Sequence, residues 1–175
     1  MRDMAETPAL SELPANPREL SAAEQVLLGA TRLWVSKAKS AAAAYEATSY
    51  YFSLFGIEQA ARSHATVLEH SAVAARRKIR IDCLCSPCLT RDEARIVHAV
   101  GHAQADRMRA ARRELESWLR DAAVRLTLPA LAALAATLTG RGLVVEVRPW
   151  RTEAPTPLQP TPDDASWPPA SRLVH

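Results

Sequence analysis

Three cysteines within six residues are the most distinctive chemical feature of this sequence. Cys83, Cys85 and Cys88 form the segment Cys-Leu-Cys-Ser-Pro-Cys. Neighbouring thiolates can share a soft metal ion, either zinc or the iron of an iron–sulfur cluster, and they can also be oxidised. Structural zinc normally takes four ligands, however, and the 175 residues hold no second cysteine pair. Three interpretations stay open: a metal site, a redox-sensitive thiol and, as the favoured one, cysteines that only pack as small apolar residues.

A histidine is the natural candidate for a fourth metal ligand. His64 lies on a helical series with gaps of four and three residues, which predicts that its ring points inward. His98 and His102, by contrast, are predicted to face solvent. We therefore name His64 as the candidate ligand, with a hydrogen-bonded core histidine as the more common alternative.

Gly101 and Gln104 lie one turn apart on an otherwise apolar helix stripe. A glycine lets a ligand or another backbone approach closely, and an amide can bond a polar group presented there. A small-molecule or cofactor pocket is one interpretation. The favoured alternative is a tight helix crossing at Gly101, with Gln104 bonded to a neighbouring loop carbonyl.

Basic residues form two clusters that could contact phosphate groups. Arginine supplies 19 of the 22 basic residues, and its planar fork suits phosphates. Acidic neighbours dilute the second cluster, so a nucleic-acid-binding regulator is an alternative that we do not favour. The clusters are Arg76, Arg77, Lys78 and Arg80, and Arg107, Arg109, Arg112 and Arg113.

The elements that position these residues are predicted to be mainly helices. Ser21 with Glu24, and Thr90 with Glu93, have the spacing of capping boxes that begin helices. Gly56 can take the left-handed conformation that ends a helix. These signals predict a bundle of about five helices.

The helices of the second half are predicted from spacing and proline. Gaps of four and three residues continue from Val97 to Trp118, which predicts one long helix after Thr90. Pro129 is placed near the start of the last helix, which ends before Gly140.

A minor two-stranded β element is predicted beside the helices. Apolar residues alternate with polar ones at about 79–83 and again at about 143–148. We expect these two short segments to pair with each other.

Composition sets the domain organisation. Proline-rich ends predict a flexible tail over 1–20 and another over 151–175, around a single helical domain at 21–150. The sequence shows neither a secretory signal nor a long uninterrupted apolar run, and its cysteine count is odd. We therefore expect a cytoplasmic protein that does not enter a membrane.

Motifs of known catalytic chemistry are lacking. The sequence contains no phosphate-binding glycine loop, no nucleophile elbow and no His-Glu-x-x-His. We expect a non-enzymatic accessory or regulatory protein that binds another macromolecule, most simply another protein. Because the second helix has more aromatic residues than one inward face can bury, a homodimer through that helix is also predicted.

Overall fold

The computed structural model describes residues 17–147, which form a mainly helical bundle. A short 3-10 turn at Pro17–Glu19 leads to six α-helices, one more than the sequence predicts. They are α1 (Ala22–Lys37), α2 (Ala41–Ser53), α3 (Ala60–Ala74), α4 (Arg91–Gln104), α5 (Met108–Glu116) and α6 (Asp121–Thr139).

Local sequence signals explain where three helices begin or end. The hydroxyls of Ser21 and Thr90 each accept the amide of the glutamate three residues later, and each glutamate accepts the amide of its capping residue. Both predicted capping boxes are therefore confirmed. Gly56 has a φ of 68° just after α2, as expected for a glycine that ends a helix.

The predicted long helix is wrong, because it breaks between α4 and α5. Asp106 takes a left-handed φ of 56°. The amide of Arg107 donates to the carbonyl of His102, and the amide of Asp106 donates to that of Ala103. This is a Schellman ending with aspartate in the position that glycine usually takes. The spacing of apolar residues continues across the break, which is why the pattern alone conceals it.

The predicted start of the last helix is also wrong. α6 begins at Asp121, so Pro129 lies inside it. Pro129 is on the exposed side, where water can satisfy the carbonyl that a proline leaves without an amide partner. By length and composition alone, α6 could cross a membrane. Seven of its residues are buried in the bundle, where the helix packs against α3 and α4.

The predicted two-stranded element is not present in residues 17–147, and Arg148 lies outside the described residues. Both segments bond to side chains of α4 instead of to each other. The amides of Arg80 and Asp82 donate to Asp92 and Glu93, at the start of the helix. The second segment bonds to Gln104 at the other end, about 18 Å along the helix axis. Polar side chains of a helix therefore supply the partners that a strand would have supplied.

The core surrounds α4, which has neighbours on most of its sides. It packs against α1, α5 and α6, and residues 96–101 are all buried. His98 is therefore only 1% exposed, and its predicted position on the solvent side is wrong. Leu20 is buried too, so it packs against the body although the sequence assigned it to a tail. Residues 1–16 of the first predicted tail and all of the second lie outside the described residues.

Candidate functional site: the cysteine turn

The three cysteines lie in an exposed turn that leads into α4. The Sγ atoms of Cys83 and Cys85 are 3.0 Å apart, and the thiol of Cys88 is exposed separately. The amide of Ser86 donates to the carbonyl of Cys83 at 3.0 Å, which closes the turn. The structure therefore brings two of the three thiols into contact at the surface.

A buried arginine from α1 holds this turn from below. Arg32 is 3% exposed, and its Nη1 and Nη2 donate to the carbonyls of Ser86 and Cys88 at 2.8 and 2.6 Å. Its Nε and Nη2 also form a two-point ion pair with Glu93 at 2.7 and 3.0 Å. The hydrogen bond with Glu93 raises the pKa of Arg32 against the opposing effect of burial. The guanidinium thus joins α1, the turn and α4 at one point.

Glu93 has more partners than its capping box requires. Besides Arg32, its carboxylate accepts the amide of Thr90 at 2.8 Å and the amide of Asp82 at 3.0 Å. Sequence reasoning found Glu93 as a cap and missed Arg32. The two residues are 61 positions apart, and no local pattern links residues at that separation.

Contact between the two thiols separates their acidities. The pKa of Cys83 is lowered, chiefly by a hydrogen bond from the Cys85 thiol. The pKa of Cys85 is raised, chiefly because its thiol makes that bond and next because the Cys83 charge disfavours a second thiolate. Cys83 is therefore the better nucleophile, and Cys85 is a protonated neighbour within reach.

The structure does not bring His64 to the cysteines. His64 is 1% exposed in the core, with its ring edge-on to Phe52. The Thr31 hydroxyl donates to the carbonyl of Leu27, so the His64 Nε2–H donates to Thr31 Oγ1 at 3.2 Å. Burial lowers the pKa of His64 to about 3. Among residues 17–147, no group of three or more His, Cys, Asp or Glu side chains is placed to hold a metal ion.

Gly101 and Gln104 are occupied by residues of the same chain. A Cβ on Gly101 would lie 3.0 Å from Val145 Cγ1 and 3.2 Å from Val147 Cγ2. The Gln104 amide donates to the carbonyl of Leu143 at 2.7 Å and accepts the amide of Val145 at 2.8 Å. The space that the sequence also allowed for a ligand is filled. Gln104 bonds a loop carbonyl as the favoured alternative predicts, but the predicted helix crossing at Gly101 is wrong, because the segment packed there is not helical.

Each arginine of the first basic cluster pairs with a different aspartate, and Arg80 pairs with Asp82 at 3.2 Å. Arg77 forms a two-point contact with Asp92, and Arg76 pairs with Asp121 at the surface. The pKa of Asp92 is lowered, because the bonds from Arg77 and the Arg80 amide outweigh the larger single effect of burial. Lys78 is exposed.

The second basic cluster lies on and just before α5. Arg112 pairs with Glu116 one turn away at 2.6 Å. Three further arginines are exposed, and within residues 17–147 their side chains form no ion pair: Arg107, Arg109 and Arg113.

Comparison with known proteins gives no relative for this chain. No protein family, no curated protein and no solved structure matches it.

Proposed function

We propose that this protein is a non-enzymatic regulatory domain that binds another protein chain and carries a redox-responsive dithiol, Cys83 and Cys85. The observation behind the proposal is the 3.0 Å separation of the two exposed Sγ atoms. A disulfide has about 2.05 Å between its sulfurs, so the two atoms need to approach by only about 1 Å when they are oxidised. In the cytoplasmic location that we propose, the glutathione pool would set the balance of dithiol and disulfide.

The oxidation proceeds by thiol–disulfide exchange with a low-molecular-weight disulfide. The Cys83 thiolate attacks one sulfur of that disulfide, forms a mixed disulfide and releases one small thiolate. Cys85 loses its proton to solvent and attacks the Cys83 sulfur, which releases the second small thiol. The protein loses two electrons and two protons, and the small disulfide is reduced to two thiols.

Arg32 makes this turn suited to signalling. It binds the carbonyls of Ser86 and Cys88 from within the core, so a change in the turn acts directly on α1 and on Glu93 of α4. Oxidation of a thiol pair on an unanchored loop would change the conformation of that loop alone. Here the conformational effect of oxidation would reach two helices.

The surface proposed for macromolecular binding is the exposed apolar part of α2 and the turn after it, here called the α2 surface. Tyr50 is 70% exposed and Leu54 is 63% exposed, whereas Phe52 of the same helix is buried. Clustered exposed apolar side chains mark interaction sites more often than isolated ones do. We propose a second copy of this chain as the partner. The α2 surface comprises Tyr50 and Leu54, which are one helical turn apart and share a face of the helix.

The dithiol is tested by equilibration with reduced and oxidised glutathione, followed by mass spectrometry. We expect a product lighter by two hydrogen atoms, with Cys83 linked to Cys85 and Cys88 still free. Cys88→Ser should give the same product, whereas Cys85→Ser should stop at a glutathione adduct on Cys83. A disulfide that includes Cys88, or adducts alone in the unaltered chain, would contradict the proposal.

The protein–protein part is tested by light scattering over a range of concentrations. We expect a dimer that Tyr50→Ser with Leu54→Ser converts to a monomer. The matched control replaces Val73 and Leu126, which are 86% and 67% exposed on α3 and α6, by serine and should remain dimeric. A monomer at the highest concentration, or equal effects of both double variants, would remove the α2 surface from the proposal.

A further inference from the structure

A cavity of about 490 Å³ opens beside the cysteine turn and has an unusual concentration of arginine. Its volume lies within the range of about 300–1,000 Å³ that small-molecule sites occupy. Two aspartates also line it, and each is engaged by an arginine of the wall: Asp92 by Arg77 and Asp82 by Arg80. The arginines of the wall are Arg77, Arg80, Arg91 and Arg95.

In the described part of the chain, two of the four arginines form no ion pair and no side-chain hydrogen bond. Within residues 17–147, the side chains of Arg91 and Arg95 make neither an ion pair nor a hydrogen bond. The cavity wall therefore carries a net charge of about +2 after its two ion pairs are counted. Unbalanced cations at a concave site attract anions, because low-dielectric walls concentrate their field.

The environment of Arg95 is costly in the absence of a ligand. Arg95 is partly buried, and its pKa is lowered first by burial and next by the positive charge of Arg91. These effects outweigh the opposing charges of Glu114 and Asp92. An anion between the two guanidinium groups would offset both effects. Arginine binds phosphate through two parallel hydrogen bonds, which makes a phosphate group the best match in shape and charge.

We propose that this cavity binds the phosphate group of a phosphorylated ligand, with Arg91 and Arg95 as the principal contacts. Arg77 and Arg80, which keep their acidic partners, form the flanking wall. The phosphate belongs either to a free phosphorylated metabolite or to the end of a nucleic acid. The site is inferred without reference to the dithiol or the α2 surface.

The test is calorimetric titration with inorganic pyrophosphate at constant ionic strength. We expect saturable binding by the full chain and a loss of affinity of about tenfold for each of Arg91→Gln and Arg95→Gln. Neither substitution breaks an ion pair, so both variants should stay folded. Arg125→Gln, an exposed arginine of α6 outside the cavity, is the matched control and should bind normally.

Two further measurements locate the ligand and separate its sources. Cys88 lines the cavity, so pyrophosphate should slow alkylation of Cys88 more than that of Cys83. A 5′-phosphorylated oligonucleotide that competes with pyrophosphate, and that Arg95→Gln weakens, would identify nucleic-acid ends as the source. An oligonucleotide that fails to compete would identify a free metabolite. Absence of pyrophosphate binding at millimolar concentration, or equal binding by Arg95→Gln and Arg125→Gln, would overturn the proposal.

Discussion

Replacing Arg32 by methionine should be among the most damaging single changes in this chain. The guanidinium is 3% exposed and makes four hydrogen bonds, two to Glu93 and one each to the carbonyls of Ser86 and Cys88. Methionine replaces the aliphatic part of the arginine side chain but offers no donor. The substitution leaves the Glu93 carboxylate buried without its cation and two carbonyls without their donor.

The magnitude follows from the partners that remain. Removing one member of a buried ion pair costs about 3–5 kcal/mol. Glu93 keeps the amides of Thr90 and Asp82, so we expect the lower part of that range, about 3 kcal/mol. Arg32→Lys should recover little, because an ammonium group cannot reproduce the planar fork that reaches Glu93 and both carbonyls.

Urea unfolding followed by circular dichroism measures this loss. Arg112→Met is the control, since it removes an exposed pair with Glu116 and should change stability little. Adding Glu93→Gln to Arg32→Met should restore part of the loss by removing the orphaned charge. If Arg32→Met lowered the free energy of unfolding by less than about 1 kcal/mol, the reasoning would be refuted, since a loss of that size is typical of an exposed ion pair.

Two further perturbations test the core. Because His64 is neutral in the fold with a pKa of about 3, the unfolded chain binds an extra proton below its ordinary pKa of about 6.5. The free energy of unfolding should therefore fall by up to about 5 kcal/mol as the pH drops from 6.5 to 3. In urea titrations, the free energy of unfolding of His64→Gln should depend less on pH. Equal pH slopes for the two proteins would contradict this. Gly101→Ala places a Cβ 3.0 Å from Val145 Cγ1 and 3.3 Å from its carbonyl oxygen. Overpacking should cost about 1–3 kcal/mol and outweigh the roughly 1 kcal/mol gain in helix propensity. The midpoint of thermal unfolding should therefore be lower for the variant. An unchanged or raised midpoint would contradict this.

Sequence reasoning succeeded where the determining interaction is local. A capping box joins residues three apart, so Thr90 and Glu93 are visible together in the sequence. The break at Asp106 was missed because neither glycine nor proline marks it, and the apolar spacing continues through it. The predicted strand pair failed for a different reason: alternation indicates an extended segment but does not say which groups bond its backbone.

At the candidate site, too, the sequence indicated local interactions but not those between distant segments. The sequence favoured cysteines that pack as small apolar residues, but all three are exposed. The hydrogen bond from Gln104 to a loop carbonyl was foreseen. Arg32 and the cavity at Arg95 were not, because each depends on where distant segments meet. An arginine within an apolar helix face is the signal that could have been found. Its partner could not be identified without the fold.

The cysteine turn and the arginine cavity share residues, and this gives a last prediction. Asp82 and Cys88 line the cavity, and Cys83 follows Asp82 directly. At a pH above the pKa of Cys83, oxidation removes a thiolate charge beside the cavity, so the disulfide form should bind pyrophosphate more tightly than the dithiol form does.

Thermodynamic linkage makes this prediction stringent, because the effect of oxidation on pyrophosphate affinity must equal the effect of pyrophosphate on the reduction potential. A tenfold tighter affinity of the disulfide form requires pyrophosphate to lower the reduction potential of the dithiol by about 30 mV. The affinity is measured by calorimetry on each redox form, and the potential by glutathione equilibration with and without pyrophosphate. Cys83→Ser with Cys85→Ser should bind pyrophosphate identically under both redox conditions. An affinity change without the matching shift in reduction potential would contradict the linkage, because the two measurements would then report different events. No change in either quantity would contradict the prediction, because the turn and the cavity would then act independently.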